Sequence, residues 1–315
     1  MRQNQSTSSI RPFRAVSALA GALGLALVLA ACGGSTAGSA GSSGGSDKTI
    51  DVVAVTNVYG SIVSKIGGDR VKVTSIIANT SQDPHSYDSS PQDKLAVSKA
   101  GLLIENGGGY DDFFTKLTDG IDKSKLIDVV DLSGLKTAEN SADFNEHVWY
   151  SLPTIAKLAD TVAEKLGALD SAHAADFTAN AAKFKTSLAD IETTLAGVKT
   201  TANGQPVAIT EPVPLWMLQS AGLVNKTPEA YSHAIEEGSD VPPAVLKETT
   251  DLISSKSVKF LAYNDQTEGP QTKSLKAAAE TAGVPVVNFT ETLPEGQDYL
   301  GWMTRNAQNI AKAVK

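Results

Sequence analysis

Between Ser171 and Ala196 the chain contains no proline or glycine, and Phe177, Ala181, Phe184, Leu188, Ile191 and Leu195 recur at steps of four and three. That period puts one apolar stripe along a single helix of about 25 residues, roughly 37 Å at 1.5 Å per residue. Few folds accommodate such a rod in mid-chain, and the segments flanking it narrow the choice further. Before it, Ile50–Val55, Val71–Ile77, Leu102–Glu105 and Leu126–Val130 read as strands, separated by helical Val58–Gly67, Pro91–Ala100 and Tyr110–Thr118. After it, Val207–Thr210, Val258–Tyr263 and Pro285–Phe289 read as strands. Helices over Leu215–Ala221, Pro243–Ser255 and Gln271–Ala282, and a last one from Gln297, accompany them. Strands alternating with helices define an α/β class with mostly parallel sheets covered by helices. Two rounds predict two similar lobes, residues 49–168 and 199–315, joined by a spine over residues 169–198. A ligand cleft is expected between the lobes. The spine lacks the small residues of a loop hinge, so a large swing of one lobe against the other is not expected.

The first residues say where the chain works. Residues 1–31 hold Arg2, Arg11 and Arg14, no acid, and an apolar run from Ala15 to Ala31. A basic stretch before a short apolar one is an export signal, and 17 residues rich in Ala and Gly are marginal for spanning a bilayer. The run ends in Leu29-Ala30-Ala31-Cys32, which resembles the lipobox of bacterial lipoproteins. That resemblance implies cleavage before Cys32 and lipidation of its thiol, anchoring the chain at the outer face of the cytoplasmic membrane or in the periplasm. Gly33 to Ser46 consists only of Gly, Ser, Ala and Thr. Residues 32–48 are therefore expected to be a flexible tether with an end-to-end distance of roughly 20 Å.

Composition removes several classes. With 41% apolar residues the chain is globular rather than disordered. Loss of the leader's three arginines moves the formal charge from -8 to -11, the wrong sign for a nucleic-acid binder. The single cysteine excludes an internal disulfide and a four-thiolate zinc site. Any metal must be held by nitrogen and oxygen.

Four histidines are available. His85 lies in Asp83-Pro84-His85-Ser86-Tyr87, after the second strand, where Pro84 and an Asp83 side-chain turn stiffen the loop. His147 lies among aromatics in Asn145-Glu146-His147-Val148-Trp149, just before a helix beginning near Pro153. His173 at the head of the spine and His233 in Tyr231-Ser232-His233 read as surface side chains. Among 35 acids, Glu211 and Glu291 stand out because each directly follows a strand, and ligand crevices in open α/β sheets lie beyond the carboxyl ends of strands.

These stretches resemble the cluster A-I (family 9) metal-binding lipoproteins, capture components of zinc and manganese ABC importers. Asp83-Pro84-His85-Ser86-Tyr87 with Pro91 and Asp93 is similar to that family's first-ligand motif, and Asn145, His147, Val148 and Trp149 to the second. Glu211 through Gly222-Leu223 resembles the third, and Thr290-Glu291-Thr292-Leu293 the fourth. The resemblance covers about residues 49–315. It implies a metal site of His85, His147, Glu211 and Glu291, no catalysis, and delivery to a permease with its ATPase by a monomer that binds no nucleic acid. There are departures: Glu146 stands where the family usually has Pro, Glu291 where it usually has Asp, and no histidine-rich loop occurs between Leu132 and Asn145. Asp265 and Glu268 are candidate competing carboxylates.

Two neutral imidazoles and two carboxylates cancel the charge of one M²⁺, which makes burial tolerable. Mixed nitrogen and oxygen donors suit Mn²⁺, Zn²⁺ or Fe²⁺ rather than Ca²⁺ or Mg²⁺. Bidentate carboxylates lean the reading to manganese, whereas the Irving–Williams order leans it to zinc. Two other classes compete. A metal hydrolase keeps an open coordination position, and four protein ligands leave none. A carrier of an organic ligand such as a siderophore or vitamin needs an aromatic or arginine-lined cleft.

Overall fold

A computed structural model describes residues 49–141 and 143–315. The leader, Cys32 and the Gly/Ser tether lie outside the described residues. In chain order the first half contains β1 (Ile50–Thr56), α1 (Asn57–Gly67), β2 (Val71–Ile77), α2 (Pro91–Lys99), β3 (Leu102–Glu105) and α3 (Asp112–Leu117). It continues with β4 (Leu126–Asp128), α4 (Val129–Ser133) and α5 (Leu152–Leu169). The spine is α6 (Ala174–Ala202). The second half contains β5 (Pro206–Ile209), α7 (Leu215–Ser220), β6 (Val224–Asn225), α8 (Glu229–Glu236), α9 (Pro243–Ser254), β7 (Leu261–Asn264), α10 (Pro270–Ala282), β8 (Val286–Phe289) and α11 (Tyr299–Ala313).

The two sheets repeat one plan. Their strand orders are β2-β1-β3-β4 and β6-β5-β7-β8, and every pairing is parallel. This is the expected pair of α/β lobes. The expected strand Leu126–Val130 is corrected: it stops at Asp128, whose side chain accepts the Asp131 N–H and caps α4. The β-branched pair Val129 and Val130 is buried in the first turn of that helix rather than in the sheet.

All six spine residues of the 4-3 stripe are buried, and Val198 and Ala202 extend it. At 29 residues α6 is about 43 Å long. It continues through Gly197, where a Cβ would meet nothing within 4 Å, so the glycine there serves no close packing. One apolar core runs from Val52 and Ile104 through Ile155 and Phe184 to Ile209, Phe289 and Ile310, crossing both lobes without a break. A second cluster around Tyr231, Ile253, Tyr263 and Leu275 packs the outer side of the second lobe. Polar ties cross as well: Asn57 Nδ2 donates to Leu293 O at 2.9 Å, and Leu293 N donates back to Asn57 Oδ1 at 2.9 Å. Tyr150 OH donates to Thr290 O at 2.8 Å and Tyr299 OH to Trp149 O at 2.6 Å.

Candidate metal centre

Each functional side chain sits just beyond the carboxyl end of a strand or in a loop pinned there. The loop after β2 is closed by a capping box at α2: Ser90 Oγ accepts the Asp93 N–H at 3.2 Å, and Asp93 accepts the Ser90 N–H at 2.7 Å. Asp83 turns the loop from within, accepting the His85 N–H at 3.0 Å and the Ser86 hydroxyl at 2.8 Å. The His85 ring stands edge-on to buried Tyr110, centroids 5.0 Å apart.

His147 is held from two sides. Asn106, after β3, donates to Glu146 O at 3.0 Å and so fixes the chain beside it. Gly107 permits this corner, with φ +79° and Asp128 Oδ1 only 2.4 Å from where a Cβ would stand. The His147 side chain is 1% exposed, and its ring packs edge-on to Trp149 at 5.0 Å. Burial, then the neighbouring His85, pushes its pKa well below the usual imidazole value, so the ring is neutral. Its Nδ1 lies 2.7 Å from Asn145 Oδ1. That atom is an oxygen because the other end of the amide, Nδ2, donates to Pro212 O at 3.0 Å. Nδ1 therefore carries the proton, and Nε2 keeps a lone pair for a metal.

The second lobe supplies carboxylates. Glu211 and Glu291 are 2% and 3% exposed, and one amide group joins them. Asn264 Nδ2 donates to Glu211 Oε2 at 2.6 Å and to Glu291 Oε1 at 2.8 Å. The Thr267 hydroxyl donates to Glu211 Oε1, whereas Glu291 Oε2 is buried without a partner. Burial raises both carboxyl groups, and Glu211 adds to the effect on Glu291, which reaches about 8.

Donor atoms of His85, His147 and Glu291 all lie within 4.8 Å of one another, and those of His85, Glu146 and Glu236 form a second such set. Glu211 belongs to neither; it lies beside the first set through Asn264. Asp265 and Glu268 are drawn toward lysines instead, Asp265 lying 3.7 Å from Lys276 Nζ and Glu268 3.4 Å from Lys273 Nζ. His173 Nδ1 pairs with Asp170 at 2.6 Å, and exposed His233 with Glu237 at 3.3 Å.

Sequence reasoning missed three of these side chains. Asn264 ends a strand as Glu211 and Glu291 follow theirs, and the same positional rule points to it once neutral donors are considered. Glu146 stands out in the sequence only as a departure from the family's usual proline. Glu236 comes from α8; its Oε1 is buried with no hydrogen bond, 3.7 Å from His147 Nε2. Burial, then Glu146 and other nearby carboxylates, raises its pKa to about 9.

Above these residues opens a cleft of about 1290 Å³. Among the described residues, Asp83, Asp143, Glu146, Glu229, Glu236, Glu237, Asp240 and Glu268 line it, with no lysine or arginine and Phe144 as the single aromatic ring other than histidine. A surface this rich in carboxylates draws cations and repels anions.

Two parallel-sheet lobes on a rigid helix, with imidazoles and carboxylates converging between them, define a two-lobed metal-ion binding protein. The family model described as zinc-uptake complex component A, periplasmic (ZnuA), matches residues 52–313, and the chain belongs to that family. It is 24% identical over 287 residues to the manganese ABC transporter substrate-binding lipoprotein PsaA of Streptococcus pneumoniae, covering 85% of this chain and 90% of the relative. Among solved structures, a crystal structure of ZnuA superposes with a TM-score of 0.69 at 23% identity, over 85% of this chain and all of that one. The periplasmic zinc-binding protein TroA of Treponema pallidum also gives 0.69, at 18% identity over 84% and 99% of the two chains. At those identities the two structures establish the fold.

Proposed function

We propose that this chain captures a divalent transition-metal ion, Mn²⁺ or Zn²⁺ with Fe²⁺ as the third candidate, outside the cytoplasm and delivers it to an ABC importer. It is a carrier and not an enzyme. His85 and His147 from the first lobe and Glu211 and Glu291 from the second hold the ion. The observation that carries this reading is the meeting of His85, His147 and Glu291 donor atoms within 4.8 Å. The carboxylate-lined cleft above them supports it. Neutral imidazole nitrogen and anionic oxygen are the donor set such ions take. The relative PsaA, a manganese transporter lipoprotein, and TroA, a zinc-binding protein, keep both metals in view.

The rest follows from the family and the leader. Residues 1–31 are removed, Cys32 carries the lipid, and residues 32–48 tether a monomeric body of lobes 49–168 and 199–315 on the spine 169–198. Partners are the importer's permease and ATPase. The test is calorimetric titration of chelator-stripped protein with Zn²⁺ and with Mn²⁺, alongside elemental analysis of the protein as purified. One tight ion per chain is expected; none, or several of equal affinity, refutes the reading.

A further inference from the structure

Asn264 is 2% exposed at the end of β7, and every polar atom of its side chain is engaged. Its Oδ1 accepts the Gln266 N–H at 3.0 Å, which fixes which way the amide points. Its backbone N–H donates to Thr210 Oγ1 at 2.9 Å, tying the residue to the strand that leads to Glu211. Nδ2 then faces three acceptors, 2.6 Å from Glu211 Oε2, 2.8 Å from Glu291 Oε1 and 2.9 Å from Thr267 Oγ1. An amide nitrogen has two hydrogens, and the two shorter of these contacts give each glutamate one. A carboxylate that chelates a metal must turn both oxygens toward the ion. Here one oxygen of each is held toward Asn264. Glu291 Oε2 is left as the single free oxygen of its group, whereas Glu211 Oε1 accepts the Thr267 hydroxyl, which must turn away for that oxygen to bind an ion.

We propose that Asn264 is a positioning residue that holds Glu211 and Glu291 to one metal-bound oxygen each, and thereby sets the preference between Zn²⁺ and Mn²⁺. The proposal rests on the reading that His85, His147, Glu211 and Glu291 bind the ion. One oxygen from each glutamate and one nitrogen from each histidine count four. Four nitrogen and oxygen donors are what tetrahedral Zn²⁺ takes, whereas Mn²⁺ is better served by more oxygens. Releasing both carboxylates lets them chelate and raises the count to five or six. The side chain that fixes denticity is thus a neutral amide outside the coordination sphere, acting as such partners do in other metal sites.

The experiment compares wild type, Asn264→Ala and Thr267→Val, each stripped and loaded with Co²⁺, whose visible absorption is several-fold stronger in four-coordinate than in six-coordinate sites. Asn264→Ala should lose several-fold in absorbance. Its Zn²⁺ over Mn²⁺ affinity ratio, measured by competition, should fall by about 10-fold or more, the scale of lost ligand-orienting contacts. Thr267→Val removes the hydroxyl that holds Glu211 Oε1 and the longest contact of Asn264 Nδ2 but keeps both bonds from Asn264 to the glutamates, so its shift should be smaller and in the same direction. It keeps the test decisive if Asn264→Ala does not fold. Wild-type spectra and ratios in both variants overturn the proposal. So does an equal weakening of both metals with an unchanged spectrum, the mark of a merely structural role. Failure of wild type to take up one Co²⁺ overturns the metal-site reading itself, which the other outcomes leave standing.

Discussion

Replacing Asn145 tests the placement of His147 without touching a donor atom. Its Oδ1 accepts the His147 Nδ1–H at 2.7 Å, and its Nδ2 donates across to Pro212 O at 3.0 Å. Oδ1 also accepts the His147 backbone N–H at 3.2 Å, and Asn145→Ala removes all three contacts. Loss of the partner that fixes a ligating histidine's tautomer costs about 10–100-fold in metal affinity, equal to about 1.4–2.7 kcal/mol. The lost bond to Pro212 adds about 1 kcal/mol to the destabilisation of the metal-free fold. Asn145→Asp separates the two. It keeps an acceptor for Nδ1–H, now charge-assisted, and loses only the donor to Pro212. Competition calorimetry with a chelator of known Zn²⁺ affinity should place Asn145→Asp near wild type and Asn145→Ala 10–100-fold weaker. Equal losses in the two variants would show that the bridge to Pro212, not imidazole orientation, is what binding needs. An unweakened Asn145→Ala would remove His147 as an oriented ligand altogether.

His85→Ala should abolish most metal affinity in the same titration, while His173→Ala and His233→Ala, whose rings pair with Asp170 and Glu237, should bind like wild type; an equal loss from His173→Ala would mean the wrong histidines are assigned. The metal-free chain should lose thermal stability between about pH 7 and pH 9, a window above the ordinary histidine range. There Glu291 and Glu236, raised to about 8 and about 9, hold protons in the folded state that the unfolded chain has already released, so stability drains as pH rises toward the folded values. Melting temperatures that climb over that window in chelator would contradict this. X-ray scattering curves of stripped and loaded protein should nearly superimpose, because α6 and the Asn57–Leu293 and Tyr150–Thr290 bonds tie the lobes; a radius of gyration differing by several ångströms would refute it.

The spine was legible because its period persists long enough for chance to be excluded, and its buried face is the predicted one. Most strands were legible to within a few residues, since a run buried on both faces is apolar throughout. The failures have a common cause. The helix α4 is five residues long and opens with Val-Val, which local propensity assigns to a strand, and only the Asp128 cap decides otherwise. The helix α8 is only eight residues long and β6 two, so neither runs far enough to leave a period to read. At the site, strand-end position singled out Glu211 and Glu291 because charge there is conspicuous. Asn264 escaped because an amide becomes informative only once its acceptors are known. Glu236 escaped because its nearness to His147 depends on how α8 packs, which residue spacing does not encode.

The unbroken core that crosses both lobes bears on how long this chain survives outside the cell. Two lobes with separate cores would open one at a time, each offering its own nick to an extracellular protease. Here severing the chain after the spine strips Ile209, Phe289 and Ile310 from the side chains they cover, so opening is collective. A ligand that binds only the folded form then protects all the segments that share this core, by about 2.7 kcal/mol when the free ion stands at 100 times its dissociation constant. Cargo therefore acts as a chaperone in a compartment without ATP. The empty carrier is the form more open to proteolysis than the loaded one.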